Sequence, residues 1–175
     1  MMEMLGRFRT TLVPPTTESK VRKDKHGYAV SFSQDSPLSV HKDIVKAVEA
    51  LKSIRPCKSD EWIPKEGTRH YELLTKNGVI SIIAIPHIDK DPSGHPEIVI
   101  ETEPFLPDGE FLDEITRLIK KIIDMTGFKA FFWGSMKFMS PEEIREWQEK
   151  LAKQEKAVTL KISKLVNKPS RASKK

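Results

Sequence analysis

Three apolar segments in the middle of the chain, joined by short connections, constrain the fold more than any other feature of the sequence. Residues 71–76 alternate between two faces, and Asn77-Gly78 is typical of a tight hairpin turn with two positive-φ residues. The return segment 79–85 is aliphatic on both faces, which indicates a strand covered on both sides. A third strand is predicted over 97–103. Parallel strands need long crossover connections, so these three strands are predicted to pair antiparallel.

Helix signals flank these strands. Three helices are predicted, from 36 to 55, 108 to 127 and 140 to 167, with a fourth strand over 128–138 between the last two. The strongest start signal is Ser140-Pro141-Glu142-Glu143, a capping box with proline at the first helical position. The middle helix has a good N-cap residue in Asp108, and Pro56 is expected to end the first helix.

The predicted fold class is α+β, a single domain in the order helix-strand-strand-strand-helix-strand-helix, with a mainly antiparallel sheet packed by helices. The domain is expected to span 28–155. Residues 1–27 are predicted to be a flexible N-terminal arm, because 14–27 combines prolines, threonines and alternating charge with one aliphatic residue, Val21. Residues 156–175 are predicted to be the end of a basic amphipathic helix followed by a disordered tail.

Charge is distributed unevenly along the chain. Residues 1–27 carry six basic and three acidic side chains, 28–139 carry 14 and 17, and 140–175 carry 10 and five. The last twenty residues contain no acidic side chain and seven basic ones: Lys156, Lys161, Lys164, Lys168, Arg171, Lys174 and Lys175. A basic appendage on a slightly acidic body predicts contact with an anionic partner, above all with the phosphates of a nucleic acid, in a sequence-independent manner.

The fourth predicted strand adds a second candidate surface for nucleic acid. Alternation places Lys129, Phe131, Trp133 and Lys137 on one face, where aromatic rings could stack on bases and lysines could meet phosphates. The alternative is that the third helix folds back and covers Phe131 and Trp133 with its own apolar residues. We leave both interpretations open at this point.

The third predicted helix has its own unassigned face. Ile144, Leu151, Val158 and Leu165 recur every seven residues, although the companion positions are mostly polar. We therefore expect the first half to dock on the domain, while the second half needs a partner. A protein partner or a second copy of the chain, bound through 141–167, is the alternative hypothesis, in which the module is an interaction or chaperone-like protein.

The order of a helix, three strands, a helix and a strand resembles the core of the restriction-endonuclease superfamily. Glu101-Thr102-Glu103 resembles its acid-x-lysine motif, with glutamate in the place of the lysine. The resemblance implies a metal-dependent nuclease. However, if the loop joins residues 88 and 96, Glu101 lies opposite Ile83 and Glu103 opposite Ser81, and neither partner side chain is a usual magnesium ligand. The nuclease is therefore a third hypothesis.

Other chemistry finds little support in the sequence. His87, Asp89, Asp91 and His95 are suitable metal ligands, but their spacing matches no closed structural site. The chain has no nucleophile elbow and no glycine-rich phosphate loop. We expect no catalytic residue, no metal and no cofactor, and hence a non-enzymatic binding module.

The expected location is the cytoplasm. The single cysteine, Cys57, cannot form an internal disulfide, which fits a reducing compartment. No apolar run approaches the ~20 residues that a membrane span requires. The start of the chain also lacks the pattern of a secretory signal.

Overall fold

The computed structural model describes residues 8–33, 44–57, 68–85, 96–104 and 106–167. The elements of this part of the chain are β1 (Arg9–Val13), β2 (Glu18–Asp24), β3 (Gly27–Ser33), α1 (Ile44–Glu49), β4 (Ile54–Pro56), β5 (Arg69–Leu74), β6 (Val79–Ile85), β7 (Glu97–Glu103), α2 (Gly109–Thr126), β8 (Lys129–Phe132), β9 (Lys137–Met139) and α3 (Pro141–Val166). Seven strands form one sheet in the order β4-β5-β6-β7-β1-β8-β9, and β2 pairs with β3 in a separate two-stranded ribbon.

The predicted fold class is confirmed: the described residues form an α+β domain with a mainly antiparallel sheet. The three middle strands β5, β6 and β7 are adjacent and antiparallel, as their short connections required. Their register differs from the predicted one by two residues, since Ser81 lies opposite Glu101 and Val79 opposite Glu103. A shift of two residues leaves every side chain on the same face, so hydrophobic alternation could not distinguish the two registers.

Strand β1 lies in the middle of the sheet, and this corrects the assignment of residues 1–27 to a flexible arm. Arg9–Val13 pairs with β7 on one side and with β8 on the other. Leu12 and Val13 are completely buried. The prediction was wrong because it rested on the polar segment 14–27, while β1 is short and finds its partners far away in the chain.

Helices α2 and α3 begin and end as their local signals predicted. Gly127 adopts a left-handed conformation (φ 69°) after α2, and its amide donates to the carbonyl of Ile123. At the start of α3 the capping box is complete, because Ser140 and Glu143 each bond the other's backbone amide. The first helix is shorter than predicted at its end: α1 stops at Glu49, and 54–56 form an edge strand instead.

The core lies between the helices and one face of the sheet. Apolar side chains of the middle strands and of α2 fill it, among them Ile80, Ile82, Ile98, Ile100, Leu112, Ile115, Ile119 and Ile122. On the opposite face of the sheet, Phe32 of the ribbon packs edge-on against Phe131 of β8, with ring centroids 5.2 Å apart. The sheet is therefore covered by helices on one side and contacted by the base of the ribbon on the other.

The turn between β5 and β6 is built differently from the predicted one. Neither Asn77 nor Gly78 has a positive φ. Instead, the hydroxyl of Thr75 accepts hydrogen bonds from the amides of Asn77 and Gly78 at 3.1 Å. Gly78 is required for close packing, because a Cβ atom there would lie 2.5 Å from the carbonyl oxygen of Glu103. The hairpin was predicted correctly, although its turn lacks the two positive-φ residues on which the prediction rested.

Several predicted features lie outside the described residues. These are the start of the first helix at Asp35-Ser36-Pro37, the possible ligands His87, Asp89, Asp91 and His95, and the basic residues Lys168, Arg171, Lys174 and Lys175.

Candidate nucleic-acid interface

Helix α3 leaves the domain half-way along its length. Ile144, Gln148 and Ala152 are buried against the domain, whereas every residue from 153 to 167 is exposed. At about 1.5 Å per residue, the exposed part of the helix from 153 to 166 is about 21 Å long. The outer half of α3, defined as residues 153–166, is thus a projection supported by the docked first half.

The outer half of α3 carries two lysines that are available to an anion. Lys161 and Lys164 are exposed, and neither makes an ion pair with any residue in the described ranges. Lys156 differs, because its ammonium group pairs with the carboxylate of Asp108 at the start of α2. Of the seven predicted phosphate-binding residues, Lys161 and Lys164 are therefore exposed and without an ion pair among the described residues, whereas Lys156 is paired with the body of the domain.

An apolar stripe runs along the same outer half. Val158, Ile162, Leu165 and Val166 are between 53% and 76% exposed, which is high for aliphatic side chains. Their spacing continues the helix face that is buried at Ile144. The domain hence covers the apolar face in the first half of α3, and the same face is exposed to solvent in the second half.

The predicted single strand 128–138 is instead a hairpin, which changes the aromatic surface. Strands β8 and β9 pair through a turn over 133–136, where Met136 has a positive φ of 56°. Phe131 is 0% exposed, and Phe32 of the ribbon covers it. Both predicted interpretations are therefore corrected: Phe131 has no face open to a base, and the element that covers it is β3 rather than α3. Trp147 of α3 packs on Phe132, with ring centroids 5.2 Å apart.

The remaining residues of that predicted surface are only partly available. Trp133 is half-buried, and its Nε1 donates to Oγ1 of Thr11 at 2.8 Å. The guanidinium of Arg9 lies over the Trp133 ring, 4.8 Å from its centroid. The ammonium of Lys129 lies 4.0 Å from the ring centroid of Phe138, whereas Lys137 is exposed. Contacts within the protein thus engage Phe131, Trp133 and Lys129, whereas Lys137 is exposed.

The ribbon β2–β3 is a basic projection whose first strand lies in 1–27, the predicted flexible arm; for the second strand, the alternation of Tyr28, Val30 and Phe32 predicts a short edge strand. Its strands pair over seven rows, from Glu18 opposite Ser33 to Asp24 opposite Gly27. From 20 to 29 every residue except Gly27 is exposed. The exposed part contains four basic side chains, Lys20, Arg22, Lys23 and Lys25, and one acidic one, Asp24. The signal that could have found it is the turn segment Asp24-Lys25-His26-Gly27 between two runs of alternating residues.

The tip of the ribbon is closed by its own side chains. The carboxylate of Asp24 accepts a hydrogen bond from the amide of His26 at 2.7 Å, and Gly27 has a φ of 125°. Lys23 lies beside Tyr28, with its ammonium 5.6 Å from the ring centroid. Asp24 is thereby held in the turn, and the four basic side chains outnumber its one carboxylate, so the exposed ribbon has a net positive charge.

Polar groups also gather on the sheet face opposite the helices. Nε2 of His70 and Oγ of Ser81 are 2.6 Å apart, a hydrogen bond between a possible base and a hydroxyl. In the part of the chain that the structure describes, no hydrogen bond orients the other ring nitrogen of His70. Strand β6, which carries Ser81, is paired on both sides, so its amides are engaged in the sheet rather than available to hold an oxyanion. The pair lacks two of the parts that acyl transfer requires.

A neighbouring carboxylate belongs to the same polar surface. The thiol of Cys57 donates to Glu72 at 3.3 Å, and this bond, more than the nearby Arg55, lowers the pKa of Glu72. Glu101, the first acid of the nuclease-like motif, pairs with Arg9 at 3.5 Å. Within the described ranges, no three His, Cys, Asp or Glu side chains come together in a group that could hold a metal ion.

Comparison with known proteins gives no match, whether against protein-family models, curated proteins or solved structures. Among the helices of the described residues, none is long and apolar enough to cross a membrane.

Proposed function

We propose that this protein is a non-enzymatic nucleic-acid-binding module that contacts the phosphate backbone through the outer half of α3. The observation that carries the proposal is that Lys161 and Lys164 are exposed and form no ion pair with any residue in the described ranges. No acidic side chain follows Glu155 in the chain. Backbone contacts of this kind do not depend on base sequence, and their strength falls steeply with salt.

The geometry supports α3 better than the β8–β9 surface as the primary contact. Phe131 is buried, and Trp133 and Lys129 are engaged by neighbouring side chains. Lys161 and Lys164 need no rearrangement before they meet a phosphate. A nucleic-acid partner and the single cysteine, Cys57, both fit the cytoplasm, which we propose as the location.

The test is a fluorescence-anisotropy titration of labelled nucleic acid at two salt concentrations. We expect the double variant Lys161→Glu, Lys164→Glu to bind at least about tenfold more weakly than the natural chain. On duplex DNA the plot of log K against log salt concentration should become shallower by about 1.8, because two phosphate contacts are lost.

The matched control reverses two exposed lysines on the body of the domain, Lys52 and Lys121. This control has the same net charge as the test variant, so it separates a local contact from a general effect of charge. Equal binding by the test variant and the natural chain, or equal weakening in the control, would contradict the proposal.

The bare apolar stripe favours a second candidate function, which is assembly through α3 with a protein partner or a second copy. A nucleic-acid backbone would leave Val158, Ile162 and Leu165 exposed, whereas a second helix would cover them. In this case the chain is an interaction or chaperone-like module that binds through 141–167.

Light scattering coupled to size exclusion tests this second function. If the stripe joins two copies, the natural chain runs as a dimer, and Ile162→Ser with Leu165→Ser makes it a monomer. Leu160→Ser is the matched control, because Leu160 is similarly exposed but lines a shallow groove with Leu106 and Ala152. A monomeric natural chain would exclude the homodimer.

A further inference from the structure

We propose that the β2–β3 ribbon enters the major groove of B-form duplex DNA. This inference deepens the proposed function and rests on it, since it names the form of nucleic acid and a second contact. The observations behind it are the shape of the ribbon, the distribution of side chains on its two faces, and the way its base is anchored.

The dimensions of the ribbon suit that groove. Two paired strands lie about 4.8 Å apart, and seven residues of strand extend about 24 Å. The major groove of B-form DNA is about 12 Å wide and admits a two-stranded ribbon. The major groove of A-form RNA is too narrow and deep for side chains to read. The fit therefore selects duplex DNA over duplex RNA.

One face of the ribbon combines long cations with very small neighbours. Lys20 and Arg22 project from β2 on this face, between Glu18 at its base and Asp24 in the turn, and the residues opposite the two cations on β3 are Ser31 and Ala29. The small side chains leave this face flat on the β3 side. It could therefore approach base edges closely, while Lys20 and Arg22 reach phosphates or the acceptor atoms of guanine.

The other face of the ribbon explains how the projection is held. Phe32 sits at the base of this face and contacts three aromatic side chains of the β8–β9 hairpin, Phe131, Trp133 and Phe138, with centroids 5.2 to 6.5 Å away. An isolated two-stranded hairpin is only marginally stable in water, so an anchor of this kind is needed. Farther out, Val21 and Tyr28 are 41% and 59% exposed. The ribbon is anchored at one end and bare at the other, as a groove-binding arm must be.

Edge strands often carry lysines for another reason, which is to prevent pairing with other strands. Preventing such pairing requires charged side chains, but it does not require a small side chain at position 29, where this chain has Ala29. A DNA groove, in contrast, would be blocked by a large side chain at that position. The two explanations therefore make different predictions for a substitution that changes volume and leaves charge unchanged.

The experiment measures binding of the full chain to a duplex DNA of about three helical turns (~30 base pairs), to one of its single strands, and to the same duplex with glucosylated hydroxymethylcytosine, which fills the major groove. We expect Ala29→Trp to bind the plain duplex at least tenfold more weakly, with single-strand binding changed less than threefold. Val21→Trp, on the opposite face, is the matched control and should bind the duplex as the natural chain does. The glucosylated duplex should bind the natural chain as weakly as the plain duplex binds Ala29→Trp.

A charge variant completes the test. Lys20→Thr with Arg22→Thr keeps residues that favour strands and should weaken duplex binding at least tenfold. Circular dichroism and thermal melting verify that each variant is folded.

The outcomes separate this inference from the proposed function. In one outcome, the natural chain binds duplex DNA and its affinity depends on Lys161 and Lys164. If Ala29→Trp then binds the plain duplex with normal affinity, and the natural chain binds the glucosylated duplex with normal affinity, the ribbon proposal is wrong and the proposed function stands. Equal losses on duplex and single strand would also overturn groove entry. If the natural chain binds none of these DNA probes, the ribbon proposal fails, and the proposed function fails with it if the anisotropy titration shows no binding to RNA either.

Discussion

Tyr71 illustrates at the residue scale how one buried polar group is satisfied in this fold. The side chain is 4% exposed, and its hydroxyl donates to the carboxylate of Glu49 at 2.6 Å. Burial is the main cause that raises the pKa of Tyr71 to about 12, and the hydrogen bond to Glu49 adds to it. The bond joins α1 to β5, so it helps to fix a short helix on the sheet.

The raised pKa predicts how stability depends on alkaline pH. The folded chain holds the Tyr71 proton more tightly than the unfolded chain, whose tyrosine pKa is about 10. The contribution of Tyr71 to stability is therefore constant below about pH 10 and is lost as the pH rises toward 12. We expect urea unfolding at pH 9 and pH 11 to show a larger loss for the natural chain than for Tyr71→Phe. Ionisation of Tyr71 in the native protein near pH 10, followed by absorbance at 295 nm as the difference from Tyr71→Phe, would contradict this prediction.

The burial and contacts of individual side chains could be predicted from the sequence only where the helix or strand that carries them was predicted correctly. Ile115 and Ile119 lie four residues apart in the predicted helix α2, and both are buried, as the spacing of an apolar helix face requires. Phe131 was placed correctly on the face opposite the core-facing residues, but its cover comes from Phe32, about a hundred positions away in the chain. His70 and Ser81 were not associated at all, because only the register of β5 on β6 brings them within 2.6 Å. The alternation of apolar and polar residues predicts which face of the sheet a side chain lies on, but it does not predict which residue of the adjacent strand lies opposite.

At the scale of elements, the helices were easier to predict than the strands. The ends of α2 and α3 are determined by a few adjacent residues, such as the capping box at Ser140, so local sequence is sufficient. Strands β1 and β8 are stabilised by pairing between distant segments, and no local pattern records that pairing. Of the ribbon, the alternation of Tyr28, Val30 and Phe32 predicts a short edge strand, which β3 confirms, whereas β2 was missed because its residues are exposed and Val21 is its single aliphatic side chain.

The architecture of α3 gives a prediction about stability. A chain that ends at Glu155 should melt within a few degrees of the full chain, because residues 156–166 bury no side chain against the domain. The pair between Lys156 and Asp108 is exposed, and such pairs contribute about 0 to 1 kcal/mol. Thermal melting by circular dichroism measures the effect. A loss of more than about 10 °C would show that the outer half of α3 supports the fold and is not a free projection.

At the scale of the whole molecule, β1 joins two parts of the sheet. Strands β4 to β7 lie on one side of it, and β8 and β9 lie on the other. Leu12 is 0% exposed and packs in the common core. The domain should therefore unfold as one unit, and its cohesion should depend on this one short strand.

Truncation of the central strand's main apolar side chain tests that dependence. We expect Leu12→Ala to lower the free energy of unfolding by about 2 to 5 kcal/mol, because it leaves a cavity in a core that helices and sheet share. Leu74→Ala is the control, since Leu74 is 47% exposed at the end of β5, and it should cost much less. Equal effects of the two changes in urea titrations, or two separate unfolding transitions, would show that β1 does not join the two parts.

The position of β1 inside the sheet also affects how the protein folds while it is being synthesised. The ribosome makes Thr11 well before its neighbour Phe131 in β8, which follows 120 residues later in the chain. At five to twenty residues per second, roughly ten seconds pass before the two can meet. During that time β1 can pair with β7 but not with β8, so the edge of β1 that faces β8 has no partner. We therefore expect nascent chains of this protein to bind chaperones, which prevent incomplete sheets from pairing with one another.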